Sequence, residues 1–121
     1  MPETIQFVPS EKAENLDFDW GGLHWYASGS LGNSSEVTVG HCWLKPGCSN
    51  PRHHHPNCSE ILVVIQGAIR HTMADGTESE MKPGDTVTIL PQVWHRATNI
   101  GLSEALLFIV FTSADRQTVG E

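Results

Sequence analysis

Residues 47–67, reading G-C-S-N-P-R-H-H-H-P-N-C-S-E-I-L-V-V-I-Q-G, constrain this chain more than any other stretch. They join a histidine cluster to the mouth of a strand. His53 and His55 are two apart, and in an extended chain such residues project from one face, so both imidazoles can reach one ion while His54 points away. Glu60 opens the run Ile61-Leu62-Val63-Val64-Ile65, β-branched and aliphatic enough to read as a strand buried on both faces. A carboxylate at the mouth of such a strand is costly to desolvate unless it is paired or bound to a cation. Three candidate ligands of one metal ion are therefore in hand.

The remainder supplies short strands and turns. Residues 23–27 read as a strand between Gly21-Gly22 and S-G-S-L-G-N-S-S, and residues 37–44 as another, stopped by Pro46-Gly47. Residues 68–73 and 78–81 flank a hairpin tip at 74–77, and 86–90, 94–99 and 105–112 follow the turn Lys82-Pro83-Gly84-Asp85. No useful window carries an amphipathic helical period, and only residues 10–15 suit a helical turn. The pattern predicts an all-β sandwich or barrel without internal duplication. Residues 1–19, with Glu3, Glu11, Glu14, Asp17 and Asp19, read as an arm more than a core, and residues 5–8 within them as an edge or partner-facing strand.

Composition narrows the partners. A chain of 121 residues suits one domain that buries roughly two-thirds of its unfolded surface. Fourteen acidic against seven basic residues give a net charge of −7 without a Lys/Arg cluster, which argues against nucleic acid or an anionic membrane and leaves a small molecule. No window approaches a membrane span and M-P-E-T-I-Q is unlike a signal peptide, so a cytoplasmic location is expected. Cys42, Cys48 and Cys58 show no C-x-x-C spacing; three reduced thiols are expected, a Cys48–Cys58 bridge being the alternative.

Two spacings then point to a family. Gly47-x5-His53-x-His55-x4-Glu60-x6-Gly67 resembles the first motif of the cupin superfamily, and Gly84-x10-His95-x3-Asn99 the frame of its second. The second motif departs from the usual Pro-x-Gly-x-x-His: Pro91 lies one residue late and Gln92-Val93 stand at the glycine position. That bears on the turn at 90–94, not on the spacing to His95. The resemblance implies a small single-domain cupin, a double-stranded β-helix or jelly-roll barrel in which His53, His55, Glu60 and His95 converge on one divalent metal. It also divides the chain into an arm with first strands (1–36), a barrel core carrying both motifs (37–112) and a C-terminal tail (113–121).

Three imidazoles and a carboxylate suit Fe, Mn, Ni, Zn or Cu and leave positions open on a six-coordinate ion, unlike a closed structural zinc site. Strand parity turns Leu62, Val64 and Gln66 inward from Glu60, and Ala97 and Asn99 from His95. Asn99 then stands either beside the metal ligands or as a turn cap. Trp43, Trp94, Met73 and Phe108 are candidate pocket residues, with ordinary packing as the alternative for each. His24, His41 and His71 are candidate bases, and Arg52 and Arg70 candidate carboxylate binders, whereas Arg96 flanks His95 and points away. The expected function is a metal-dependent enzyme acting on a small oxygenated molecule, foremost a dioxygenase. An isomerase or lyase, and a non-catalytic binding or sensing barrel, are the alternatives. Small cupins resemble one another in pairing barrels, and four tryptophans with an apolar N-terminal segment point to a homodimer.

Overall fold

A computed structural model describes residues 5–120; residues 1–4 and 121, the outer ends of the expected arm and tail, lie outside them. A short 3₁₀ turn, Ser10–Lys12, leads into β1 (Glu14–Phe18), β2 (Gly21–Ala27), β3 (Thr38–Leu44) and β4 (His53–His54). There follow β5 (Glu60–Gln66), β6 (Ile69–Thr72), β7 (Glu78–Met81), β8 (Thr86–Ile89), β9 (Arg96–Asn99), β10 (Ala105–Phe111) and β11 (Val119–Gly120). The expected all-β architecture is present, with antiparallel pairing throughout.

One layer is a six-stranded sheet in the order β1-β2-β3-β10-β5-β8. The other is built from β7-β6-β9 and from β11-β4, joined where Ser49 bridges Thr98 and His53 bridges His95. Between them lies the core: Trp25, Leu44, Leu62, Val64, Ile69, Leu107, Ile109 and Phe111 are all buried. Alternation does the sorting, since Ala105, Leu107, Ile109 and Phe111 face inward along β10 while Phe108 faces out.

A glycine lets the large inner residue Trp25 lie flat. A Cβ at Gly40 would come within 2.5 Å of the Trp25 ring and 2.4 Å of the His24 carbonyl oxygen, so only glycine leaves β3 thin enough for the indole to cross it.

Two expectations change. The strand after Glu60 is buried on one face, not two: Ile61 and Ile65 point outward and stand 37% and 52% exposed, because β5 lies in a sheet whose outer face this chain leaves open. Residues 5–8 form no strand. Glu14–Phe18, expected within the arm, takes the edge of β2 instead, and the turn after Pro9 separates the two segments. Within residues 113–120, Val119 and Gly120 pair with His54 and His53 and carry the C-terminal run across the mouth of the barrel. All three cysteines are free, as expected, and the alternative Cys48–Cys58 bridge is absent.

Candidate metal centre

His53, His55, Glu60 and His95 come together from both layers, with one donor atom of each within 4.8 Å of all the others. The sheet ladder explains the convergence. His53 and His95 exchange backbone hydrogen bonds of 3.0 and 2.8 Å, which sets their rings side by side with centroids 4.3 Å apart. Glu60 arrives from β5 opposite, and its Oε1 lies 3.1 Å from His55 Nε2 and 3.0 Å from His95 Nε2. All but His53, which is partly exposed, are buried.

The outer nitrogens are equally specific. Nδ1 of His53 reaches the Pro51 carbonyl at 2.7 Å, that of His55 the Gln117 carbonyl at 2.9 Å and that of His95 the Val93 carbonyl at 2.8 Å. A carbonyl oxygen only accepts, so each Nδ1 must carry the proton and each neutral ring turns a lone pair on Nε2 toward the centre. Two of those lone pairs face a carboxylate oxygen at hydrogen-bond distance. Acceptors cannot rest against acceptors in a buried site, so either a proton or a cation must stand between them. This donor chemistry fits a divalent metal, and backbone carbonyls behind ligating imidazoles are the usual way such rings are oriented.

Electrostatics follow the same logic. Burial alone would raise the Glu60 carboxyl, but the His55 and His95 hydrogen bonds overcome it and hold the group well below the usual carboxylate range. Burial pulls the His95 imidazole down, and the Glu60 hydrogen bond and charge more than reverse this, leaving it above its ordinary value. At His53 burial and then the nearby His95 win, lowering it to about 4.

The turn before His95 answers the motif's departure. Gln92, at the glycine position, has φ of 69°, the one non-glycine positive φ among the described residues, and its N–H donates to the His55 carbonyl at 2.8 Å. The backbone keeps the glycine-type conformation although the residue changed.

Around the cluster is a mainly apolar cavity of about 270 Å³ that takes in His53, His55 and Glu60. Leu62 lines it, as parity predicts; Val64 is buried deeper in the core. The other expected pocket residues are placed elsewhere. Gln66 is exposed and donates to the Glu104 carbonyl, because β5 has an extra residue opposite the Leu106–Leu107 step and parity shifts there. Asn99 is the turn cap: Nδ2 donates to the carbonyls of Leu44 and Ser103, and Oδ1 accepts from the Gly101 N–H. Trp43 lies against His41 on the outer face, Trp94 against His54 and Arg52, Phe108 points outward, and Met73 closes the hairpin tip. Arg70 pairs with Glu78 and Glu80. Sequence reasoning missed Trp25, Leu107, Ile109, Phe111 and Arg116, all of which line the cavity. The inward parity of β10 carried a signal for Leu107, Ile109 and Phe111; nothing local marked Arg116.

Of the spare histidines, His24 and His41 stack on the outside with ring centroids 5.0 Å apart. His71 is fully buried behind His95, and neither ring nitrogen has a protein hydrogen-bond partner among the described residues.

With the geometry in hand, the family follows. The Cupin domain family matches residues 40–111, and the chain belongs to it. Among curated relatives, a germin-like protein from Morus alba is 34% identical over 58% of this chain and 35% of its own length. Oxalate oxidase GF-3.8 from Triticum aestivum is 28% identical over 84% of the chain and 46% of its own length. The chain thus spans between a third and a half of these relatives. Oxalate decarboxylase from Bacillus subtilis superposes with a TM-score of 0.81 at 22% identity, covering 92% of this chain and 30% of that one, a likeness of fold. No helix among the described residues is long and apolar enough to cross a membrane.

His71 yields a prediction with a definite sign. Burial, then His95, lower it to about 4 against an unfolded value of about 6.5. The folded chain therefore resists a proton that the unfolded chain accepts, so stability is complete above about 6.5 and falls toward pH 4. His53 acts in the same direction, while His95, shifted upward, contributes below about 6.5 and loses that contribution as pH rises. In metal-free protein, His71→Leu should flatten the fall of Tm between pH 6.5 and 4, and parallel Tm profiles for variant and wild type would refute this.

Proposed function

We propose that this cupin holds one divalent metal on His53, His55, Glu60 and His95 and is a metal-dependent enzyme acting on a small oxygenated organic molecule, foremost as a dioxygenase. One observation carries the reading: three imidazole lone pairs and a carboxylate oxygen aim at one point that needs positive charge. A bound divalent ion would supply Lewis acidity and, if redox-active, a means of activating O₂. The chain's own residues do the rest. Backbone carbonyls fix the rings, Glu60 lowers the net charge of the centre, and Leu62, Leu107 and Ile109 keep bulk water from the face where a substrate would lie. The naming of a relative as an oxalate oxidase supports a small oxygenated acid as the kind of molecule handled.

A second reading, a barrel that binds a small molecule without turning it over, is favoured by the cavity's poverty in acids and bases. Beyond the metal donors its titratable side chains are Cys42, whose burial pushes the thiol up to about 12, and Arg116. The free thiols are what a reducing compartment maintains, which supports the cytoplasmic reading. A homodimer is supported by the outward apolar side chains of Ile61, Ile65 and Phe108, together with Ile5 and Phe7, which are 82% and 86% exposed.

Protein purified without a histidine tag should contain close to one divalent ion per chain, and His95→Ala should contain little; full occupancy in that variant removes His95 from the site. Reconstituted with Fe(II) under nitrogen, the protein should consume O₂ when air and a chelating substrate are added, whereas turnover by the Zn form without O₂ would move the chemistry to isomerisation or lysis. Light scattering should give twice the 13.3 kDa of one chain, and a single-chain mass at micromolar concentration contradicts the dimer.

A further inference from the structure

We propose that Arg116 is the anion-recognition residue of this cavity and that its ligand is a small monocarboxylate with an aromatic or branched aliphatic body, the carboxylate seated on the guanidinium. The proposal deepens the metal-centre reading and rests on it for what faces the other end of the ligand.

Arg116 lies in the run between β10 and β11, and that run is firmly held. Asn57 ties it twice, Nδ2 donating to the Asp115 carbonyl at 2.8 Å and Oδ1 accepting from the Gln117 N–H at 3.0 Å. His55 donates to the Gln117 carbonyl, so a metal ligand and the run carrying Arg116 share one hydrogen bond. Gly29 N–H donates to the Ala114 carbonyl at 2.8 Å from the other side. Position is thus set by backbone contacts, not by the arginine's own reach.

The guanidinium carbon lies 4.4 Å from the Trp25 ring centroid and 5.2 Å from that of Phe111, and Nη1 donates to Thr118 Oγ1. Among the described residues no carboxylate lies within 4.0 Å of it, in contrast to Arg70 and Lys82. Burial pushes the guanidinium below its ordinary value, and the nearby Glu60 charge opposes that. Glu60 itself is engaged by two imidazoles and has no direct contact with Arg116. A partly buried cation with five N–H donors and one in use inside the chain is suited to two parallel bonds with a carboxylate.

The body of the ligand follows from the walls. Leu23, Leu62, Leu107 and Ile109 line the same cavity as His53, His55, Glu60 and Arg116, and its volume of about 270 Å³ falls just below drug-sized pockets of about 300–1,000 Å³. A two-carbon dicarboxylate would leave those walls against water, whereas an apolar body covers them. The chain's net charge of −7 works against drawing in anions generally, so in the metal-free chain selection rests on this one cation.

The test uses phenylacetate and its neutral isostere phenylacetamide, titrated calorimetrically into the full chain, both metal-free and loaded with Zn(II). Wild type should prefer phenylacetate, and Arg116→Gln should weaken phenylacetate roughly 10–100-fold while leaving phenylacetamide and metal stoichiometry unchanged. Arg116→Lys should recover part of the preference. Equal loss for acid and amide would assign Arg116 to packing alone and overturn the proposal, as would unchanged phenylacetate affinity. Should Arg116→Gln fail to fold, wild type still decides: the Arg116 side-chain N–H resonance should shift with phenylacetate and not with phenylacetamide, and the reverse or no shift overturns the proposal. Acid preference in metal-free wild type combined with no metal uptake would overturn the metal-centre reading while this one stands; normal metal uptake with no effect of Arg116→Gln would do the opposite.

Discussion

A buried carboxylate oxygen faced by two imidazole nitrogens is the interaction on which the rest depends. Glu60 could not sit inside the barrel alone, since an isolated buried carboxylate gains a proton or unfolds its surroundings. Its cost is offset only when a proton on Nε2 of His55 or His95, or a cation, stands against it, and those rings are turned the right way because carbonyls of Gln117 and Val93 hold their far nitrogens. The three shells form one unit, from backbone carbonyl to imidazole to carboxylate. Its centre calls for a proton or a cation.

That unit dictates what the strands must do. An isolated bridge pairs His53 of β4 with His95, just before β9, and β5 faces them from the other layer. Residues 113–120 complete the arrangement by bringing the Gln117 carbonyl to His55 and pairing β11 with β4. The C-terminal run is thereby part of the centre's outer shell, and it brings Arg116 to the cavity in the same stroke. Stability of the barrel mouth and function of the site are coupled through a few hydrogen bonds.

Much of this was legible in the chain, and the parts that were not share a cause. Spacing alone placed His53, His55 and Glu60 together, because strand parity and the cost of burying Glu60 are local facts. His95 needed the cupin resemblance, since a distant β-bridge decides its position. Gln66 was misjudged because one extra residue in β5 reverses parity, and a bulge has no clear sequence mark in a run of valines and isoleucines. Phe108 faces outward while Leu107 and Ile109 face inward, an alternation along β10 that the sequence carries. Arg116 and the ordered tail were beyond reach, because their placement depends on contacts with Asn57, Trp25 and His55 far along the chain.

The competition between proton and cation can be measured directly by counting protons released as Zn(II) binds, with calorimetry in buffers of differing ionisation enthalpy. Because His95 is held above its ordinary value by Glu60, binding near pH 6.5 should release a proton from this pair, and the release should diminish as pH rises. Glu60→Gln should remove most of that release and weaken binding. Stoichiometric binding that releases no proton at any pH from 6 to 8, or that is indifferent to Glu60→Gln, would contradict a metal centred on these four residues.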